Sequence, residues 1–204
     1  MKAIFASRNR HKAEQAAILL PGIDLISIDA VAPDLQLEQP WNSFRENAFA
    51  KARAVVAVSG RPAIADDSGL EVDALGGAPG VFSARYAGEA ATDKENNTKL
   101  VSALSGVTED RRTCRYRCVA VMATPDGREF AAEGSCEGRI IDEGRGSLGF
   151  GYDPHFVPVG EQRTMGEIPL EEKLAFSHRG RAFRGLAKCL GLTPYNAGAP
   201  SEQG

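Results

Sequence analysis

The sequence lacks the cysteine and histidine spacings of a metal scaffold or a disulfide framework. It has four cysteines and three histidines in 204 residues, with no CxxC pair and with the histidines far apart. Neither a zinc site nor a set of disulfides is therefore indicated. A run of about 18 apolar residues, as a membrane span needs, is also missing. We expect a cytoplasmic protein with reduced thiols and no membrane partner.

The sequence also has little excess charge of either sign. The formal net charge is -3, which argues against a broad nucleic-acid-binding surface and favours a small partner molecule. A content of 43% hydrophobic and 25% charged residues is that of an ordinary globular protein. We predict a single domain over residues 1–195, followed by a flexible tail over 196–204.

Two common nucleotide-binding motifs are missing or out of context. No G-x-x-x-x-G-K-[ST] occurs, which excludes a P-loop. Gly144, Gly146 and Gly149 satisfy G-x-G-x-x-G, but Gly151 and Pro154 follow where that motif needs a helix N-terminus. The dinucleotide-binding interpretation is therefore rejected.

Hydrophobic periodicity predicts helices that alternate with strands in the first half of the chain and a β-hairpin in the second half. This order indicates an α/β protein with a mixed central sheet flanked by helices. The predicted strands are 2–6, 25–28, 63–65, 112–124, 129–141 and 156–157, and the predicted helices are 11–20, 43–59, 92–104, 171–175 and 179–190.

An acid pair, Asp66 and Asp67, follows the apolar residues 63–65. Adjacent carboxylates repel one another, and burying an ionised one is costly unless a cation or hydrogen-bond donors offset it. Ser68 and Gly69 then add a hydroxyl and an unencumbered backbone. The pair therefore indicates a metal site. The alternative is a turn that ends the strand, since Asp, Ser and Gly are ordinary turn residues.

A polar loop follows the first predicted strand and combines hydroxyl, amide and basic groups at a helix start, where free N–H groups favour anions. The alternative is a solvated basic loop. Acids for a metal and bases for an anion both come after strands, where open α/β sheets bind ligands. Together they predict a nucleotide site. The loop residues are Ser7, Arg8, Asn9, Arg10, His11 and Lys12.

A glycine-flanked loop carries Phe150 and Tyr152, which suit stacking on a flat heterocycle, and Asp153, which suits accepting hydrogen bonds. Aromatic residues beside glycine are also common in local core. Farther on, Lys173 and the run Ser177-His178-Arg179 place donors near a helix start. The alternative for that run is a surface helix cap.

Five ordered motifs resemble those of the Ham1-like family of inosine/xanthosine triphosphate pyrophosphatases. The resemblance implies hydrolysis of ITP, dITP and XTP to the monophosphate and pyrophosphate with Mg²⁺, which keeps noncanonical purines out of DNA and RNA. It also implies a homodimer and a strongly twisted sheet in two lobes, with the nucleotide cleft between them. The motifs are S-x-N-x-x-K at 7–12, F-x-E-N-A-x-x-K-A at 44–52, ADDSGLEVDALGGAPGVFSARYAG at 65–88, GFGYDP at 149–154, and EEK with SHRG at 171–180.

The resemblance also implies roles for individual residues. Asp67 corresponds to the catalytic base and metal-linked acid, and Glu38 to a second metal carboxylate. Glu38 is followed by Gln39-Pro40-Trp41 where the family usually has Glu-Thr-Gly, which changes this loop. The implied substrate contacts are residues 7–12 and Ser68, the base-pocket residues Phe150, Gly151, Tyr152, Asp153, Lys173, His178 and Arg179, and, as further phosphate contacts, Lys51 and Arg85.

Two other functions remain open at this point. One is a Maf-type pyrophosphatase that acts on modified or pyrimidine nucleotides. The other is a nucleotide-binding or dimerisation module without turnover, which the intact Asp67 and basic loop make less attractive.

Overall fold

The computed structural model describes residues 1–39 and 41–196, so Pro40 and almost all of the predicted tail lie outside the described residues. Apart from the strand at 63–65, each predicted element is confirmed to within one residue at either end. The strands are β1 Lys2–Phe5, β2 Asp24–Ser27, β3 Ala63–Val72, β4 Thr113–Ala123, β5 Glu129–Ile140 and β6 Phe156–Pro158; the α-helices are α1 Arg10–Leu19, α2 Phe44–Ser59, α3 Asp93–Ala103, α4 Leu170–Phe176 and α5 His178–Cys189.

The strands form one mixed six-stranded sheet in the order β2-β1-β3-β4-β5-β6. β1 is parallel to β2 and β3, whereas β3, β4, β5 and β6 pair antiparallel, which confirms the predicted mixed sheet. Residues 151–155 after the G-x-G-x-x-G match form turns and not a helix. No helix in the described part of the chain is long and apolar enough to cross a membrane.

The prediction that the third strand ends at Ala65 was wrong. β3 continues to Val72 because β4 pairs with it along its whole length, from Ala63 opposite Ala123 to Val72 opposite Cys114. The acid pair therefore lies inside a strand and not in a turn. β3 pairs with β1 only at its start, through Ala63 and Ile64, so the acids lie beyond the carboxyl end of β1.

Neighbouring side chains of β3 face opposite sides of the sheet, and each side has its own apolar core. Ile64 belongs to the core under α1 and α5, and Ala63 and Ala65 belong to the core under α2. Farther along β3, Leu70 enters a third core with residues of α3 and β6. The acid pair lies between these cores, at the position where two lobes would meet; the division into lobes stays a prediction.

Helix α5 lies unusually close to β5 because Gly134 has no side chain. A Cβ atom there would come within 2.2 Å of the His178 carbonyl oxygen and 2.7 Å of the Ala182 backbone nitrogen. Ser177 caps the helix, its hydroxyl accepting a hydrogen bond from the Gly180 N–H at 3.2 Å. This close contact brings the first residues of α5 over the middle of the sheet.

Candidate active site

A cleft opens where β3 runs past the end of β1. Its walls come from the start of α1, from β3, from the loop at 149–153 and from the adjoining ends of α4 and α5. The cleft thus brings together residues that are far apart in the sequence. The predicted site residues that line it are Asn9, Lys12, Asp67, Ser68, Phe150, Gly151, Tyr152, Asp153, Lys173, His178 and Arg179.

Asp66 is fully buried and faces α1 and α5. Its Oδ2 atom lies 2.9 Å from Lys12 Nζ and 3.3 Å from Arg179 Nη2, and it accepts a hydrogen bond from the Ser68 hydroxyl at 3.3 Å. Burial raises the pKa of this carboxyl, but the charges of Lys12, Arg179 and Lys51 outweigh it and hold the pKa well below its ordinary value. Asp66 therefore stays ionised and ties the two helices to the strand.

Asp67 faces the opposite side of the sheet, toward α2, and opens into the cleft. Its Oδ1 atom accepts a hydrogen bond from Lys51 Nζ at 2.8 Å, and its Oδ2 atom accepts one from Asn47 Nδ2 at 3.3 Å. Asn47 also exchanges two hydrogen bonds with the backbone of Trp41. One buried amide thus joins the loop that carries Glu38 to the Asp67 carboxylate.

The Lys51 ammonium lies behind Asp67 and does not line the cleft. It also donates to the Asp66 carbonyl oxygen at 2.6 Å, and burial lowers its pKa from the ordinary value. Arg85 is directed elsewhere, toward Glu89 and the Gln39 carbonyl. The structure thus places Lys51 where it orients Asp67. Neither Lys51 nor Arg85 is among the residues that line the cleft.

The predicted phosphate loop is only partly directed into the cleft. Asn9 caps α1 by accepting a hydrogen bond from the Lys12 N–H at 3.1 Å, and both side chains line the cleft. Arg8 turns away to Asp29 at 3.0 Å and to the Pro33 carbonyl at 2.6 Å. The side chains of Ser7, Arg10 and His11 are not among the lining residues, so their role in substrate binding stays a prediction.

Asp153 and Lys173 form a buried pair at one end of the cleft. Lys173 Nζ lies 3.2 Å from Asp153 Oδ2 and 3.3 Å from the Leu148 carbonyl oxygen, and the Tyr116 hydroxyl donates to Asp153 Oδ1 at 3.2 Å. Burial raises the pKa of Asp153 despite the neighbouring ammonium. The pair combines a donor and an acceptor, as recognition of a polar heterocycle requires.

His178 stacks on the Tyr116 ring, with the ring centroids 4.6 Å apart and the planes at 13°. Burial, with the adjacent charge of Arg179, lowers the pKa of His178 well below its ordinary value. The imidazole is therefore neutral at pH 7. Tyr152 is almost fully buried and donates to the Ser83 carbonyl at 2.8 Å, so it acts as much in the core as in the cleft.

Gly149 allows the Asp153–Lys173 pair to form. Its φ is +90°, and a Cβ atom there would come within 2.0 Å of Asp153 Oδ2 and 2.6 Å of Lys173 Nζ. We expect Gly149→Ala to displace this pair and to lower kcat/KM at least about 10-fold, the size of one lost hydrogen bond to a charged group. Steady-state kinetics on the substrate proposed below would measure the change.

Gly160→Ala is the matched control for Gly149→Ala. Gly160 also has a positive φ, +86°, but a Cβ atom there meets nothing within 4 Å. Gly160→Ala therefore has the same backbone strain as Gly149→Ala, but its Cβ atom meets no other atom. The activity of Gly160→Ala should stay close to that of the wild type. Equal losses in the two variants would show that strain, and not the displaced pair, causes the effect.

The residues that could hold a metal ion are few. Among the described residues there is no group of three or more His, Cys, Asp or Glu side chains that could bind one. Asp67 lines the cleft, Asp66 Oδ1 is buried without a hydrogen-bond partner, and Glu38 is exposed. Mg²⁺ commonly binds through one or two carboxylates, substrate phosphate oxygens and water. This donor set fits Mg²⁺ bound together with a phosphorylated ligand.

Sequence reasoning missed the roles of Asp66 and Asn47. Asn47 and Lys51 are four residues apart on α2, which places them on the same face of the helix, among buried alanines. Two polar residues on an otherwise apolar helix face were a signal for a buried polar partner. No local signal indicated that Tyr116, in the middle of β4, reaches Asp153.

Comparison with known proteins gives consistent matches. The Ham1 family matches residues 3–189. A dITP/XTP pyrophosphatase of Desulforamulus reducens is 48% identical over 186 residues, covering 90% of this chain and 92% of that protein. One of Geobacter sulfurreducens is 44% identical over 192 residues, covering 93% and 96%. The solved structure of the Staphylococcus aureus Ham1 protein superposes with a TM-score of 0.85 at 37% identity, covering 94% of this chain and 98% of that one. The matched residues include the cleft.

Proposed function

The chain belongs to the Ham1 family, and we propose that it hydrolyses noncanonical purine nucleoside triphosphates, such as ITP, dITP and XTP, to the monophosphate and pyrophosphate. The observation that carries this proposal is the composition of the cleft. A carboxylate held by Lys51, the basic Lys12 and the Asp153–Lys173 pair all face one space. This reaction needs a carboxylate that takes a proton from water, a cation that binds phosphates and a polar pocket that binds the nucleobase.

In the proposed reaction Asp67 acts as the general base. It takes a proton from a water molecule whose oxygen bonds to the α-phosphorus, while the bond to the bridging oxygen breaks and pyrophosphate leaves. Lys51 and Asn47 hold the carboxylate in one orientation. Lys12 and the free N–H groups at the start of α1 bind phosphate oxygens.

Mg²⁺ is the proposed cofactor, with Asp67 and Glu38 as its protein ligands. When bound, the ion supplies Lewis-acid chemistry by neutralising charge on the triphosphate. Asp67 supplies the carboxylate inside the cleft. Glu38 reaches the site only if the loop held by Asn47 and Trp41 brings it there.

Selection against adenine rests on donors that face the 6-position of the base. The N–H groups of Arg179 are directed to Asp66, Ser68 and Gln15. Lys173 uses two of its three donors, on Asp153 and Leu148, and keeps one for a 6-oxo group. An amino group at that position would leave this donor unpaired, at a cost of about 1 to 3 kcal/mol.

Product analysis tests the proposal. Incubation with ITP and Mg²⁺ should give inosine monophosphate and pyrophosphate in equal amounts, and a chelator should stop the reaction. Release of orthophosphate with inosine diphosphate would contradict the proposed bond cleavage. A substrate panel separates the alternatives: a higher kcat/KM for modified or pyrimidine nucleotides would indicate a Maf-type activity, and binding of ITP without turnover a nucleotide-binding module.

The remaining expectations concern the setting of the enzyme. A homodimer is proposed from the family resemblance, and its mass in solution can be measured by light scattering. The cytoplasmic location and the single domain over residues 1–195 stay predictions.

A further inference from the structure

The side chain of Phe150 contacts two elements other than its own loop. Its ring is stacked on the ring of His11, with the centroids 5.3 Å apart and the planes at 9°. The Arg179 guanidinium carbon lies 5.5 Å from the same ring centroid. Phe150 lines the cleft, whereas His11 is exposed and is not among the lining residues. The imidazole therefore lies outside the cleft and contacts one of its lining residues, Phe150.

The backbone beside Phe150 is held by hydrogen bonds, but these bonds leave the ring free. The Gly151 N–H donates to Asp93 Oδ2 at 2.7 Å, and Asn97 Nδ2 donates to the Gly151 carbonyl at 2.8 Å. Glycines on both sides of Phe150, at φ +90° and +64°, offer its ring no side-chain contact. Among the described residues, the aromatic and cation–π contacts of the ring are those with His11 and Arg179.

His11 is also next to Lys12, the residue that we propose to bind phosphate oxygens. It is the second residue of α1, and Lys12 follows it. Its side chain points to Phe150 while the free N–H groups of the same helical turn remain available to an anion. One helical turn therefore contacts both ends of a nucleotide site.

We propose that His11 is a positioning residue, whose side chain orients Phe150 to stack on the purine base and does not bind the triphosphate. This inference rests on the proposed function and deepens it. A ring that is already oriented loses less rotational freedom when the base binds, so affinity for the base increases. Affinity for the phosphates is unaffected, because they contact Lys12 and the backbone.

Two substitutions and two ligands test this inference. His11→Ala should raise the KM for ITP about three- to tenfold, the effect of one lost aromatic pair, with kcat close to that of the wild type. His11→Phe keeps a flat ring at this position and should restore the KM. Inhibition by inorganic tripolyphosphate, which has no base, should be the same in all three proteins. Glu14→Ala, an exposed residue one turn along α1, is the control and should change neither value.

Three results would overturn the inference. An unchanged KM in His11→Ala would show that the stack does not matter. Weaker inhibition by tripolyphosphate in His11→Ala would place His11 on the phosphates. Equal defects in His11→Ala and His11→Phe would exclude stacking as the cause. Failure of the proposed function is recognised separately, because the wild-type protein would then not convert ITP to inosine monophosphate.

Discussion

Asp67→Asn is expected to lower kcat for ITP hydrolysis at least about 100-fold, because the amide cannot take the proton that a general base removes. The substitution keeps the shape of the side chain and an oxygen that can accept from Lys51. The KM should change much less than kcat, because Asp67 contributes most in the transition state. Steady-state kinetics with ITP and Mg²⁺ would measure both values.

Asp73→Asn is the matched control for Asp67→Asn. Asp73 comes just after β3 and binds Arg115 and Thr113 at the surface, outside the cleft. Its activity should be close to that of the wild type. Wild-type activity in Asp67→Asn, with an unchanged unfolding curve, would refute the assignment of Asp67 as the base.

Asp66→Asn is expected to lower the free energy of unfolding by about 3 to 5 kcal/mol, because it leaves buried cations without their counter-charge. The Arg179 side chain is only 3% exposed and that of Lys12 only 15%. Urea denaturation of both proteins would measure the difference. The control is Asp126→Asn, which breaks an exposed pair with Arg128 and should cost less than about 1 kcal/mol.

The pH dependence of stability gives a second readout for Asp66. Its pKa is lowered on folding, so the folded state keeps the carboxylate charged at a pH where the unfolded chain takes up a proton. The contribution of Asp66 to the free energy of unfolding is complete above the pKa of the unfolded chain, about 3.9. It is lost as the pH falls from there toward the lower pKa of the folded state. The wild type should therefore lose more stability in this range than Asp66→Asn. The same dependence of the free energy of unfolding on pH in both proteins would contradict this role of Asp66.

Local signals in the sequence were sufficient to predict most of the fold. Thr92 and Glu95 form a capping box at the start of α3, and Ser43 and Ser177 cap α2 and α5. The length of β3 was not predictable in this way. Ser68 and Gly69 favour a turn, and only pairing with the distant β4 keeps them extended.

The sequence predicted which residues belong to the candidate site, but it did not predict which side chains contact one another. The motifs supplied eleven predicted site residues that line the cleft. They did not predict that Arg179 reaches back 113 positions to Asp66, or that Arg8 turns to Asp29. Such contacts depend on how α5 and the segment after β2 pack on the sheet, which no local pattern encodes.

The central claim is that water attacks the α-phosphorus in a reaction that depends on Asp67. The most direct test is to hydrolyse ITP with the wild-type protein in water enriched in heavy oxygen and to analyse both products by mass spectrometry. The account predicts that the label enters inosine monophosphate and is absent from pyrophosphate. Label in pyrophosphate, or in released orthophosphate, would contradict it.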